Sequence, residues 1–122
     1  MATEFIRKTM ADVPTSAVPN TSNANNDLYT AGANTDSVII GLLLTNKSGA
    51  SVTADVMIEV QSGQGENVYL IKGAQVPVGS ALEVISGKVV VANTGSGTGD
   101  TLQVRCDTAS ALDATVSILE NT

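Results

Sequence analysis

Histidine and tryptophan are absent from this chain. Histidine is the side chain that most often serves as a general base and as a transition-metal ligand near neutral pH, so its absence excludes Ser-His-Asp and Cys-His catalytic arrangements. We interpret the carboxylates that remain in predicted turns or on polar strand faces as solvated surface charges; they are Glu59, Glu66, Glu83, Asp100, Asp107 and Asp113. The sequence therefore predicts that the chain is not an enzyme and binds no cofactor.

Cysteine and aromatic residues are scarce. The single cysteine, Cys106, excludes a disulfide within the chain and a metal site made from several cysteines of one chain. Because Cys106 alternates with Leu102 and Val104, we interpret it as a small buried hydrophobic side chain. The aromatic residues are one phenylalanine and two tyrosines, so the core must be built from Val, Ile, Leu and Ala.

Positive charge is also limited, since 6 Lys and Arg residues stand against 12 Asp and Glu residues and the formal net charge is −6. Phosphate binding needs clustered Lys and Arg, so no direct contact with nucleic acid is expected. Residues 1–8 lack the apolar stretch of a secretion signal, which predicts synthesis in the cytoplasm. The longest apolar run, residues 38–44, is far shorter than the roughly 20 residues of a membrane-spanning helix. No membrane anchor is expected.

No loop matches a known phosphate-binding or metal-binding pattern. The glycine-rich residues 95–99 are followed by Asp100, Thr101 and a predicted strand, whereas a P-loop ends in Lys-Ser or Lys-Thr before a helix. Calcium is the alternative that the acidic residues leave open, but no loop has the spaced acids of a dedicated site. The acids that would have to converge are Asp27, Asp36, Asp100, Asp107 and Asp113. We predict no metal site.

What the chain does contain is alternation of apolar and polar residues with a period of two, which is typical of β-strands. In residues 52–60 the even positions are apolar, and we expect one buried face and one wetter face. Turn residues recur about every ten positions, which favours antiparallel strands. The pattern predicts one all-β domain over residues 1–122, an antiparallel sandwich of about eight strands. Candidate strands are residues 5–9, 28–30, 37–45, 52–60, 67–72, 81–85, 88–91, 101–106 and 114–118.

Two segments depart from simple alternation. Residues 38–44 are apolar at successive positions, so this strand would be covered on both faces, as a central strand of the core or against another subunit. Residues 13–26 are polar and contain two prolines, and we predict a long loop or arm, either a flexible insert or a segment ordered by a neighbour. The candidate interface residues are Phe5, Ile6, Val38, Ile40, Leu42 and Leu44.

Several motifs resemble those of one group of viral proteins. They are Leu28-Tyr29-Thr30 with residues 34–42, residues 68–83 with the turn Pro77-Val78-Gly79-Ser80, Gly99-Asp100-Thr101-Leu102, and Ser117-Ile118-Leu119-Glu120. Over residues 28–120 the chain resembles small virion structural proteins of tailed bacteriophages, notably those that infect cyanobacteria and other marine bacteria. The resemblance implies a jelly-roll-like sandwich that is located in the virion.

The resemblance also implies a structural role. We expect a capsid decoration (cement) protein that stabilises the head shell by binding major capsid subunits, with a neck, tail or fibre-base protein as the alternative. The expected partners are copies of the chain itself, with trimers around capsid symmetry axes favoured, and the major capsid protein or another virion protein. A carbohydrate-binding module is a third hypothesis, for which exposed aromatic rings such as that of Tyr69 would be needed.

Overall fold

The computed structural model describes residues 3–18, 25–60, 66–85, 88–93 and 99–121. Within these ranges the regular secondary structure consists of strands, and every strand pair is antiparallel. The strands are β1 (Thr3–Met10), β2 (Asp27–Thr30), β3 (Thr35–Asn46), β4 (Val52–Glu59), β5 (Val68–Val76), β6 (Ala81–Glu83), β7 (Val89–Asn93), β8 (Thr101–Cys106) and β9 (Leu112–Asn121). The predicted all-β fold is confirmed, and each predicted strand corresponds to an observed one.

The strands form two sheets that pack against each other. Sheet A has five strands in the order β1-β9-β3-β6, and β7 pairs with β3 on the side that β6 occupies. Sheet B has four strands in the order β2-β8-β4-β5. If β6 and β7 are counted as one interrupted strand, this order is that of a jelly roll, in which two Greek keys wrap around one core. The structure thus agrees with the predicted jelly-roll-like sandwich.

The core between the sheets is built from aliphatic side chains. β9 buries every second residue from Leu112 to Ile118, as the alternating sequence predicts. Burying one Leu or Ile side chain contributes about 1.5–3 kcal/mol, so many aliphatic residues can replace a few aromatic ones. Cys106 is completely buried in this core, as predicted, and burial raises the pKa of its thiol. The large buried side chains include Ile39, Leu42, Leu44, Leu102, Leu112 and Ile118.

A β-bulge in β3 explains why its sequence is apolar at successive positions. The pairing with β9 shifts register between Ile39 and Gly41, which inserts one extra residue into β3. The buried positions are odd-numbered before the bulge and even-numbered after it. The strand therefore supplies apolar side chains to the core and also to the outer face of sheet A.

The predicted arm is attached to the chain's own sheets at both of its described ends. The amide of Val13 donates to the Leu112 carbonyl, and the Pro14 carbonyl accepts from the Cys106 amide. At the other end, the Asn26 side chain donates to the carbonyls of Val104 and Ser16 at 3.0 and 3.1 Å. Residues 19–24 of the predicted loop lie outside the described residues. At the described positions, contacts with sheets A and B hold the arm in place.

The outward-pointing side chains of β4 from Asp55 to Glu59 are inaccessible, so the prediction of a wetter face on residues 52–60 was wrong for this part of the strand. Asp55, Met57 and Glu59 are all buried. The arm contacts this face through two hydrogen bonds. The Arg105 side chain donates to the Thr15 carbonyl, and the Tyr69 hydroxyl donates to the Val18 carbonyl. Alternation in a strand shows which positions are polar, but it does not show whether another segment covers them.

Two of the carboxylates that we interpreted as solvated surface charges are buried. Glu59 lies on the covered face of β4, and Asp100 lies where the chain enters β8. The Asp100 carboxylate accepts from the Ala92 amide at 3.3 Å, and the Asp100 amide donates to the Ala92 carbonyl. The solvated-surface interpretation was wrong for these two residues, because Asp100 is hydrogen-bonded to β7 and Glu59 is 7% exposed within β4.

Candidate functional site

The outer face of sheet A carries a row of apolar side chains across four strands. Phe5 of β1 lies opposite Leu119 of β9, Leu119 lies opposite Val38 of β3, and Val38 lies opposite Val90 of β7. Residues directly opposite each other in antiparallel strands point to the same face. Phe5 is 75% exposed and Val90 is 58% exposed, whereas Val38 and Leu119 are half-buried. The row therefore faces solvent in the single chain.

The bulge in β3 extends this apolar surface. Ile40 is 40% exposed and Leu43 is 42% exposed, although both lie in the central strand of the sheet. A shallow groove of about 250 Å³ runs beside Leu43 and is bordered by Glu83 and Thr115. We call the surface the A-face patch; its residues are Phe5, Val38, Ile40, Leu43, Val90 and Leu119. The row of Phe5, Leu119, Val38 and Val90 is a run of neighbouring apolar side chains, and exposed apolar surface of this kind commonly marks an interaction site.

The six interface residues predicted from sequence fall into different places. Leu42 and Leu44 are buried in the core of this chain, which corresponds to the central-strand interpretation of residues 38–44, and their side chains are not accessible to a second protein. Phe5, Val38 and Ile40 lie on the A-face patch. Ile6 points inward and packs against the core at the edge of sheet A. The role of these four in contacts between subunits stays a prediction.

Sequence reasoning missed three residues of the patch: Leu43, Val90 and Leu119. A signal for Leu43 was present, because Gly41 interrupts the apolar run and glycine inside a strand often marks a bulge that reverses the inward and outward positions. Val90 and Leu119 join the patch through pairing with β3, which lies far from them in sequence. Their placement depends on strand register, and local periodicity does not determine register between distant strands.

A second feature is an open cleft of about 560 Å³ between β1 and β2, which are edge strands of the two sheets. Tyr29 lies at its inner end, and its hydroxyl is 2.5 Å from both Glu120 Oε2 and Ser37 Oγ. Burial, followed by the hydrogen bond to Glu120, raises the pKa of the Tyr29 hydroxyl far above its ordinary value. These bonds join β2 of sheet B to β3 and β9 of sheet A. We interpret the hydrogen bonds of Tyr29, Ser37 and Glu120 as structural contacts that hold the two sheets together.

We expect the stabilising contribution of the Tyr29 hydroxyl to be lost in alkaline solution, so that the free energy of unfolding falls. An unfolded-state tyrosine ionises with a pKa of about 10, and the folded-state pKa of Tyr29 is raised. The contribution of the hydroxyl is therefore complete below about pH 10 and is lost as the pH rises toward the folded-state pKa. Tyr29→Phe should cost about 1.5–3 kcal/mol at neutral pH, because the Glu120 carboxylate loses a donor, and should remove this part of the alkaline decline.

Urea unfolding of the original protein and Tyr29→Phe between about pH 8 and pH 11 measures this effect. Tyr69→Phe is the matched control, because the Tyr69 hydroxyl makes only two long bonds of 3.4 Å, one donated to the Val18 carbonyl and one accepted from the Lys72 ammonium. An equal alkaline decline in the original protein and in Tyr29→Phe would contradict the role of the Tyr29 hydroxyl.

The ionic contacts of the described residues connect loops and strands. The Lys47 ammonium lies 2.5 Å from an oxygen of Asp12 and 2.8 Å from an oxygen of Asp113, and the hydrogen bond from Lys47 lowers the pKa of Asp113. Asp107 accepts from the Thr53 amide at 3.0 Å. Across the ranges that the structure describes, no three Cys, Asp or Glu side chains are grouped to hold a metal ion.

Comparison of the sequence with models of known protein families gave no match, and comparison with curated proteins gave no match either. Within the described ranges, no helix is long and apolar enough to span a bilayer. We therefore infer function from the A-face patch and from the resemblance to virion proteins described above.

Proposed function

We propose that this chain is a non-catalytic structural protein of a bacteriophage virion, and that its A-face patch binds the head shell as in a capsid decoration (cement) protein. The A-face patch is the observation that carries the proposal. The sequence resemblance supplies the link to the virion. Jelly rolls occur in viral capsid proteins and also in lectins and cupins, so the fold supports the proposal by analogy only.

The contrast between the two outer faces favours docking on sheet A. The arm contacts the outer face of sheet B, where Met57 is buried although it points away from the core. On sheet A, Phe5 and Val90 remain mostly exposed. An antiparallel sheet that faces water usually has polar residues on that side. Removing apolar surface from water contributes about 25 cal/mol per Å², so covering the A-face patch would supply free energy for association.

The charge of the chain favours the outer surface of the shell as its position. The formal net charge of −6 opposes contact with packaged nucleic acid, which is a polyanion. The six side chains of the A-face patch carry no charge. A complementary area on major capsid subunits would place apolar side chains against the patch and polar groups against Arg7, Asp36 and Glu83, which lie at its border.

The geometry gives less support to a carbohydrate-binding module. Tyr29 is buried, and the Lys72 ammonium lies 4.5 Å from the centre of the Tyr69 ring. Phe5 is the aromatic ring that is largely exposed, and its cross-strand neighbour in the row is the aliphatic Leu119. The alternative position at the neck, tail or fibre base uses the same patch, and it differs from the head position in copy number.

We expect the purified chain to bind phage heads that were assembled without it. Binding should saturate at on the order of hundreds of copies per head, as expected for a protein that follows the shell lattice. Val90→Ser combined with Leu43→Ser should weaken binding about tenfold or more, because two apolar contacts are lost. Sedimentation of the heads with labelled protein measures both the affinity and the copy number.

Val78→Ser is the matched control, because Val78 is 52% exposed but lies in the turn between β5 and β6, outside the A-face patch. It should leave the affinity for heads unchanged. About six or twelve copies per complete particle would instead favour the neck, tail or fibre base. Absence of the chain from purified virions would contradict the virion role, and binding that is insensitive to the patch substitutions would contradict the role of the patch.

Self-association remains part of the proposal. The trimer expected from the resemblance is one possible arrangement, and the mass of the purified chain in solution distinguishes it from other arrangements.

A further inference from the structure

β1 is a regular strand with an open edge. It pairs with β9 from Thr3 to Met10 without a register shift, and β1 is the terminal strand of sheet A. The edge of a terminal strand presents unpaired backbone N–H and C=O groups, which can pair with a strand of another chain. Because β1 is straight over eight residues, its edge offers a long template for such pairing.

The other edges of the described sheets are shorter or irregular. β2 has four residues and a register shift, and β6 and β7 have three and five residues. β5 is longer, but its pairing with β4 shifts register twice, and Gly73 within it has a φ of 67°. Short strands and bulges are the usual means by which proteins prevent pairing at an edge. β1 is the edge that lacks them.

We propose that β1 pairs with β1 of a second copy of this chain, antiparallel about a two-fold axis at Ile6, so that the two A sheets become one continuous sheet. This proposal rests on the self-association that is part of the proposed function, and it specifies the surface and the register. Such a contact is isologous, because each copy uses the same strand.

The charges of β1 are complementary in this register. A two-fold axis perpendicular to the sheet keeps the inner and outer faces of both copies aligned, so residues of the same face come opposite each other. With the axis at Ile6, Glu4 of each copy lies opposite Lys8 of the other. Opposite charges that face each other across antiparallel strands stabilise the pairing, and this pair would occur twice.

The remaining positions of β1 also match in this register. Ile6 packs against the core at the mouth of the cleft beside β2, and it would meet Ile6 of the second copy. On the outer face, the exposed ring of Phe5 would lie opposite the Arg7 guanidinium of the second copy, an arrangement that permits a cation–π contact.

Neighbouring registers are less favourable. An axis at Arg7 would place two Arg7 side chains opposite each other, and like charges in directly opposite positions are destabilising. An axis at Phe5 would place Glu4 opposite Ile6. Only the axis at Ile6 pairs charge with opposite charge and an aliphatic side chain with an aliphatic one.

In the part of the chain that the structure describes, the charges of β1 have no ionic partners. Within the described ranges, Glu4, Arg7 and Lys8 form no ion pair. Glu4 also lies directly opposite Glu120 of β9, which is an unfavourable pairing of like charges. Lys8 of a second copy would bring a positive charge next to this acidic pair.

The two-fold contact also has a consequence for docking. Because the axis is perpendicular to the sheet, the A-face patches of the two copies point to the same side. The dimer would present two patches to one surface, and two linked contacts bind more tightly than one.

Light scattering and sedimentation of the purified full chain test the proposal. We expect a dimer, and we expect Glu4→Lys and Lys8→Glu each to weaken dimerisation about tenfold or more, since each places like charges opposite each other twice. An equimolar mixture of the two variants should form a heterodimer, because the E4K chain then meets the K8E chain with opposite charges at both positions. Recovery in the mixture also shows that both variants are folded.

Glu66→Lys and Lys88→Glu are matched controls, because they make the same changes in charge at exposed positions outside β1. They should leave the dimer intact. A monomer at all concentrations, a trimer, or a dimer that tolerates both Glu4→Lys and Lys8→Glu would overturn the proposal.

A cysteine cross-link tests the register independently of charge. Ile6→Cys should form a disulfide-linked dimer under mild oxidation, because residue 6 faces its own copy at the axis and opposite Cβ atoms in paired strands are about 4.5–5.5 Å apart. Thr9→Cys should not, because Thr9 would lie opposite Thr3. The buried thiol of Cys106 is not accessible for this reaction. Cross-linking of Thr9→Cys in place of Ile6→Cys would overturn the register.

The two proposals fail separately. A monomeric chain that still binds heads would contradict pairing through β1 and leave the virion role intact. A dimer that is sensitive to Glu4→Lys but does not bind heads would support pairing through β1 and contradict the virion role.

Discussion

Leu44→Ala should lower the free energy of unfolding by about 2–5 kcal/mol, the range observed when buried leucines are truncated. Leu44 is 0% exposed and lies in β3, which pairs with β9 on one side and with β6 and β7 on the other. Its surroundings are fixed by two sheets, so the cavity left by the substitution is not easily filled. Urea unfolding followed by circular dichroism measures the loss.

Leu43→Ala is the control next to it in the same strand. Leu43 is 42% exposed on the opposite face, so its truncation should change stability by no more than about 1 kcal/mol. The same variant should weaken binding to phage heads, because Leu43 belongs to the A-face patch. The two substitutions are therefore expected to separate folding from docking. Equal losses of stability in both variants would contradict the assignment of inner and outer faces in β3.

Residues 38–44 show how far periodicity could predict this fold. The unbroken apolar run correctly indicated a strand with apolar side chains on both faces. It did not indicate which residues point inward, because the bulge between Ile39 and Gly41 exchanges the inward positions. The bulge depends on pairing with β9, about 75 residues away in sequence, and that pairing is not visible in a local pattern.

The outer face of sheet B shows a second limit. Asp55 and Glu59 alternate with apolar residues as they would in a strand with one side in water. Both are buried, and Asp55 lies beside Arg105, which contacts Thr15 where the chain returns over this face after β1; the polar composition of residues 13–26 gave no indication of that path. Polar segments can cover a sheet through their backbone carbonyls, as Pro14 and Thr15 do here by accepting from the Cys106 amide and the Arg105 side chain.

The candidate site was predictable only in part. Phe5, Val38 and Ile40 could be named as interface residues because they are apolar and lie in strands. Their assembly with Val90 and Leu119 into one patch required the order of strands in sheet A. The open edge of β1 likewise follows from topology, because no local feature of residues 3–10 distinguishes a terminal strand from a central one.

The carboxylate of Asp55 connects three elements on the covered face of sheet B, and its removal should be among the most destabilising single changes. One oxygen accepts from the Gly73 amide at 2.7 Å, and the other accepts from the Arg105 guanidinium at 3.1 Å. Asp55→Ala would leave the Gly73 amide without this acceptor and the Arg105 charge without its partner. We expect a loss of about 2–4 kcal/mol, slightly below the usual cost of breaking a buried pair because Arg105 is 25% exposed.

Asp36→Ala is the matched control, because Asp36 is exposed on the outer face of β3, and its cost should be within about 0.5 kcal/mol. The double variant Asp55→Leu with Arg105→Met should cost less than Asp55→Ala, because it removes both charges together and leaves neither one buried without a partner. Thermal and urea unfolding of the four proteins measure these differences. If Asp55→Ala is no more destabilising than Asp36→Ala, the ion pair does not hold the covered face together.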